Sequence, residues 1–401
     1  MRRQTGAVGA TLTACGLILT SGLVASAATA QTAQANAALR YLYAQVHADG
    51  SIAGSFGATE DTVISIADNG YDPATLKSSS TGTSAYDYLS AHASAINTAG
   101  GAAKYVLTWV AAGRPTAIDA SAWLTKLNTA TGSGGFLEPN GAFHNASATV
   151  ETANAYSQSL SALADVAAGH SLPTNATGWL TCAQRTDGGF GYAIDDSAAS
   201  PPASCGATSS DTNDTAIIIQ ALGQAGIGLA NGAAKTYLKS TQHPDGGFGF
   251  NAAPGSDPSS DTVVIQALVA IGENPMGAAW TVSGKNPVSN LESFADRQGG
   301  GGYVFPGNAA PDAFTTSSVP QALALKPYAH RTAIVLGSAP GPATTTPVTA
   351  SPTSSVQAIS VPPTGSAGEV GGASVWAFAL LALGSVALLV ASFRRGQHPA
   401  P

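Results

Sequence analysis

One unit, repeated through the middle of the chain, limits its fold more than any other feature. Two copies are nearly identical in layout. Trp179-Leu180 leads to Gln184 and then Asp187-Gly188-Gly189-Phe190-Gly191-Tyr192; Tyr237-Leu238 leads to Gln242 and then Asp245-Gly246-Gly247-Phe248-Gly249-Phe250. Each is followed by a second match, Gln220-Ala221-Leu222 running to Gly226 and Gln266-Ala267-Leu268 running to Gly272. Weaker copies link Tyr41-Leu42 to Asp49-Gly50, Trp123-Leu124 to Gly134-Gly135-Phe136, and Leu291 to Gly301-Gly302-Tyr303 and Gln321-Ala322-Leu323. A degenerate copy runs from Tyr86 through Gly100-Gly101 to Gly113. A period of about 50 residues lies within the range of helical repeats, whose units bury their apolar faces only against neighbours.

The chemistry of one unit predicts its shape. Asn231 is a natural helix N-cap, and Ala234, Tyr237, Leu238 and Thr241 follow on one helical face, with Lys235 and Lys239 on the other. That helix is half exposed. The Gly-Gly-aromatic turn stops it. Residues 261–271 are then apolar nearly all round, which predicts a helix buried on most sides, with Asp261 as N-cap and Gly272 as the C-terminal stop. Asp61 holds the corresponding capping place in its own copy. Residues 36–337 accommodate six such hairpins, and six inner helices ringed by six outer ones close on themselves without capping repeats. The expected class is all-α.

Composition narrows the partners. Hydrophobic residues are 44% of the 401, enough for a large core, whereas charged residues are 10%. Sixteen Lys+Arg against 23 Asp+Glu leave a net charge of −7, so no basic surface is available for nucleic acid. Arg2-Arg3, an apolar run and Ala25-Ser26-Ala27-Ala28-Thr29-Ala30 read as a secretory signal over residues 1–30. The repeat domain is expected over 31–338. Residues 339–374 form a Pro/Thr/Ser-rich stalk, 375–393 an uncharged transmembrane helix of near-spanning length, and 394–401 a basic tail opening on Arg394-Arg395. The tail lies in the cytoplasm by the positive-inside rule, giving a type I topology at the extracellular face. In an exported chain, Cys182 and Cys205 are expected to form a disulfide across an insertion in the fourth unit; the alternative is two buried thiols.

The repeated Asp-Gly-Gly-Phe-Gly turn, with an Asp-Thr-led helix ending in Gln-Ala-Leu, resembles the prenyltransferase and squalene-cyclase repeat superfamily, the α/α toroids. The resemblance implies a toroid whose interior holds a ligand: an isoprenoid in cyclases and prenyltransferases, cobalamin in vitamin carriers. Class II terpene cyclases protonate substrate from the middle acid of Asp-x-Asp-Asp-Thr-Ala. This chain reads Asp211-Thr212-Asn213-Asp214-Thr215-Ala216, with an amide at the acid's place. Were it a cyclase, Asp211 or Asp214 would have to supply the proton; the plainer expectation is that Asp211 or Asp214 simply caps the helix, whose dipole lowers the pKa of both. Seven scattered His and two mature Cys offer no zinc set of the prenyltransferase kind, so no metal or cofactor is expected. Phe190, Tyr192, Phe248, Phe250 and Tyr303, with Glu151, are candidates to line a ligand mouth; alternatively the aromatic residues, with Phe136 and Phe305, plug their own turns. Val361-Pro362-Pro363-Thr364-Gly365, ahead of the apolar run and Arg tail, resembles a sortase sorting signal that would join Thr364 to peptidoglycan. The leading expectation is a non-catalytic surface protein whose toroid binds an apolar ligand or a surface partner. A terpene-cyclase-like or prenyltransferase-like enzyme and a cobalamin or tetrapyrrole carrier are the alternatives.

Overall fold

The computed structural model describes residues 31–144, 153–228, 232–251 and 255–328. By internal contacts the chain divides into Met1–Pro340 and Gly341–Pro401, and every described residue belongs to the first unit. Outer and inner helices alternate. The outer set is α1 (residues 31–44), α3 (Ala85–His92), α5 (Ser121–Leu127), α7 (Ala176–Cys182), α9 (Ala233–Thr241) and α11 (Pro287–Ser293). The inner set is α2 (Phe56–Asp68), α4 (Ala99–Ala111), α6 (Ala155–Ala168), α8 (Thr212–Gln224), α10 (Pro258–Ala270) and the pair α12 (Ala313–Thr316) and α13 (Val319–Leu323). Among the described residues this makes the six hairpins expected, with isolated bridges in place of strands. None of the described helices is long and apolar enough to cross a membrane. The signal, stalk, sorting motif (Val361 to Gly365) and residues 375–393 lie outside the described residues.

Each inner helix starts the same way. Ser55, Thr98, Asn154, Asp211, Asp257 and Asp312 are extended N-caps whose side chains accept from the N–H three residues on; Asp257 also accepts from Ser259. This satisfies helix donors that would otherwise be orphaned. It also corrects the sequence expectation: Asp261 and Asp61 are not caps. Asp261 lies a turn inside α10, behind the true cap Asp257. There its Oδ1 accepts the Phe248 N–H at 2.7 Å. The same bond recurs from the fourth helical residue in four other units: Thr59 to Ile52, Gln158 to Phe143, Thr215 to Phe190 and Thr316 to Tyr303. The repeat therefore stitches each turn to the inner helix behind it. Gly100-Gly101 is likewise not a turn but the first turn of α4, where a Cβ on Gly100 would stand 2.9 Å from Ser157 Oγ of α6. The cap placed at Asn231 falls on an undescribed residue, and α9 is preceded by Gly232.

The outer helices behave as their patterning predicts: on α9, Ala234 and Leu238 are buried while Lys235 and Lys239 are exposed. Gly272 ends its inner helix with φ +77°, the left-handed conformation that glycine adopts at least cost. The last inner element is broken because Pro320 has no N–H to continue the ladder. Helix contacts run α2 to α4, α4 to α6, α6 to α8, α8 to α10, α10 to α13 and α13 back to α2, which closes the ring. Hydrogen bonds seal the seam: Ser65 Oγ donates to the Ser317 carbonyl at 2.7 Å and Asn69 Nδ2 to the Pro320 carbonyl at 2.9 Å. In the outer layer, Tyr41 and Tyr303 hydroxyls tie α1 to the last unit through Pro311 O and Gln34 Oε1.

Candidate functional site

The start of α8 carries the motif singled out in sequence. Asp211 is its N-cap, with Oδ1 2.8 Å from the Asp214 N–H. Its own N–H donates to Phe190 O. Capping is thus borne out for Asp211 but not for Asp214, whose carboxyl is buried at the third helical position. The expected lowering of both pKa values is overturned. Burial pushes the Asp214 carboxyl well above the ordinary range, and the neighbouring Asp211 adds to the shift. Burial also raises Asp211, against the bonds it accepts from Asp214 and Asn213. Desolvation outweighs the helix dipole because these groups lie under the turns of the repeat rather than at a solvated helix end. Asn213 is half-buried and its Oδ1 has no hydrogen-bond partner. It lies two helical turns before Gln220, on the same stripe of α8.

A second polar group, not singled out in sequence, lies between facing inner helices. Lys104 Nζ of α4 is 2.8 Å from Asp61 Oδ2 of α2, with side chains 6% and 16% exposed. Burial pulls the Lys104 ammonium down more than any single neighbour raises it, but Asp61, Tyr156 and Glu60 together outweigh burial and hold the group above the usual lysine value. Glu60 beside them is fully enclosed, and its Oε1 has no partner. Burial drives its pKa well up, with Lys104 opposing the shift and Asp61 reinforcing it. Tyr156 of α6 is pushed up to about 12, first by burial, with Lys104 opposing. Tyr328, just after α13, donates its hydroxyl to Asp61 Oδ1 at 3.1 Å and its N–H to Gln220 Oε1 at 2.7 Å. The signal was present in sequence: a single lysine inside the apolar run of α4, and Glu60-Asp61 inside the apolar run of α2. Charges placed so must find partners when buried.

The proposed ligand-lining aromatics separate into two groups. Phe190, Phe248 and Tyr303 are at most 1% exposed and plug their own turns, Phe248 against Trp280 with ring centroids 6.3 Å apart. Tyr192 is half-buried and Phe250 is 47% exposed. Glu151 lies outside the described residues. Cys182 and Cys205 form the expected disulfide, with Cα atoms 5.1 Å apart. Among the described residues no group of three or more His, Cys, Asp or Glu side chains is placed to hold a metal ion. His144 does lie between two carboxylates away from α8, its Nε2 against Asp196 Oδ2 and its Nδ1 3.6 Å from Glu138.

A closed ring of inner helices enclosing ionisable side chains defines an α/α toroid with a polar interior. Its shape is similar to that of type II terpene cyclases. The MstE cyclase from Scytonema, without ligand, aligns with a TM-score of 0.50 at 13% identity, covering 74% of this chain and 98% of that one. A variant of MstE in complex with geranylgeranyl dihydroxybenzoate (substrate) aligns at TM-score 0.50 and 15% identity, covering 75% and 98%. Another, with merosterolic acid A (product), gives 0.50, 14%, 75% and 98%. At such identities the likeness establishes the toroid fold. No family model and no curated protein matches the sequence.

Proposed function

We propose that the toroid is an acid catalyst of the terpene-cyclase kind, which takes up an apolar polyprenyl chain and protonates it from Asp214. The observation that carries this reading is the buried Asp211–Asp214 pair. Burial and the adjacent carboxyl favour the neutral form of Asp214, which is the form able to give a proton. The proton passes to an alkene carbon, the alkene pair forms the new C–H bond, and the resulting cation closes a ring before losing a proton. The MstE structures support the choice of substrate class, since that cyclase holds a geranylgeranyl compound. A second reading, a non-catalytic toroid that binds its ligand without turnover, is favoured by Asn213, an amide where the resemblance places the acid.

Incubation of the full chain with squalene and with linear isoprenoid diphosphates, followed by product analysis, separates the two. Cyclised product is expected from wild type and should fall about 100-fold or more in Asp214→Asn. No product from wild type, or an undiminished rate in the variant, eliminates the enzyme reading. The same variant reports on protonation. A carboxyl whose folded pKa is raised contributes stability that is complete below its unfolded value and is lost as pH rises through the folded one. Asp214→Asn should therefore flatten the fall in stability above pH about 4, rather than cost the stability a lost cap would. Urea titrations at several pH values check this; an unchanged slope means that Asp214 is ionised in the folded protein.

We further propose that the toroid is displayed outside the cell, exported by residues 1–30 and held by residues 361–401 in the membrane or, through Thr364, on peptidoglycan. The order of signal, stalk, Pro-x-Thr-Gly, apolar run and basic tail supports it. Thr364→Ala should shift the protein out of the covalent wall fraction. An unchanged fraction removes the sortase route.

A further inference from the structure

The residue that crosses the ring shows what the ring is built to hold. In the order of inner helices α2 and α8 stand opposite one another, three places apart either way. Tyr328 bridges them, hydroxyl to Asp61 of α2 and N–H to Gln220 of α8. Both ends are prepared positions. Asp61 is fixed by Lys104 at 2.8 Å. Gln220 is 0% exposed, and while its Oε1 accepts from Tyr328, its Nε2 has no partner. A buried amide donor that nothing meets carries its full desolvation penalty. Ile64, Leu107 and Leu163 hold, on α2, α4 and α6, the helical position that Gln220 holds on α8, and Gln266 and Gln321 hold it on α10 and α13; all are buried, and Gln266 Nε2, like Gln220 Nε2, has no partner. The ring interior thus combines an apolar wall on α2, α4 and α6, amides on α8, α10 and α13 that can give a hydrogen bond as well as take one, and, one turn away, a carboxylate that accepts from a hydroxyl.

We infer that this axial site binds a hydroxyl-bearing apolar ligand of the alkylphenol kind, in direct competition with Tyr328. The tyrosine is the site's tethered occupant. Its phenol supplies the O–H that Asp61 takes and the flat ring that the apolar wall takes, and it leaves the Gln220 Nε2 donor unused. A free phenol reproduces the first two contacts and, through its own acceptor atoms, can add the third. A hydrocarbon of the same shape leaves the Asp61 oxygen desolvated and unpaired, and sites built around a hydroxyl reject such analogues strongly. Because Tyr328 is covalently attached, it competes at an effective concentration of the order of millimolar, and the apparent affinity of any ligand falls by the fraction of time Tyr328 leaves the site free.

The inference does not depend on the protonation chemistry proposed above, and its test reads binding rather than turnover. Calorimetric titration of the full chain with 4-propylphenol and with propylbenzene supplies it, on wild type, Tyr328→Phe and Tyr328→Ala. Tyr328→Ala should bind 4-propylphenol at least about tenfold more tightly than wild type, with Tyr328→Phe in between, and each protein should prefer the phenol to propylbenzene by about tenfold or more. Equal affinities across the three proteins, or equal affinities for the two probes, overturn the inference. If Tyr328→Ala fails to fold, Tyr328→Phe decides, since it keeps the ring and removes the hydroxyl alone.

Discussion

Replacing Lys104 with methionine is expected to destabilise the toroid by about 3–5 kcal/mol, a large share of the 5–15 kcal/mol typical of a whole domain. The ammonium is buried and 2.8 Å from Asp61, and its charge also acts on Glu60. Methionine matches its stem but leaves the Asp61 carboxylate without a countercharge between two inner helices. The cost lies in the abandoned partner rather than in the pair itself, so the double variant Lys104→Met/Asp61→Asn should regain more than half of it. Urea unfolding of the two single variants and the double variant measures the coupling. A loss below about 1 kcal/mol for Lys104→Met, the range of exposed pairs, would show that water reaches the site.

Removing the disulfide with Cys182→Ser/Cys205→Ser should cost about 3 kcal/mol, the loop-closure value for a separation of 23 residues. The bridge joins the end of α7 to the insertion before α8, where the Cys205 N–H also donates to Cys182 O at 2.8 Å. The native contacts therefore survive without the bond, and the effect acts on the unfolded chain, which gains freedom. The unfolding slope in urea should rise as the unfolded state expands. Full retention of stability in the double serine variant, or two titratable thiols in the oxidised protein, would contradict this.

The architecture was legible because it rests on local rules repeated six times. The Gly-Gly-aromatic turns and the Gln-Ala-Leu runs mark where helices stop and which are buried, and neither depends on the distant chain. Caps were harder to locate. Both Asp257 and Asp261 precede the apolar run, and sequence favours the nearer one, whereas the extended backbone at Asp257 makes that residue the cap. Gly100-Gly101 matches the Gly-Gly of the repeat's turn in sequence only. In the structure these glycines allow Ser157 of α6 to approach α4, a contact between units that one unit cannot reveal. The site was half legible. Asp211 was placed correctly, but Asp214 was assigned the charge state of an exposed helix start, since the depth of burial under neighbouring turns is absent from the sequence.

By itself the sequence determined the class, the count of hairpins, the sidedness of the outer helices and the cysteine pair, because period, amphipathicity and spacing are properties of the chain. The tertiary structure decided which polar groups meet. Asp61, Lys104, Gln220 and Tyr328 come from four separated stretches, and they converge only because α13 packs against α2 and closes the ring. Closure removes water from their surroundings. Loss of that water, more than any local pattern, raises the pKa of a capping aspartate's neighbour and makes a lone lysine the partner of a buried carboxylate.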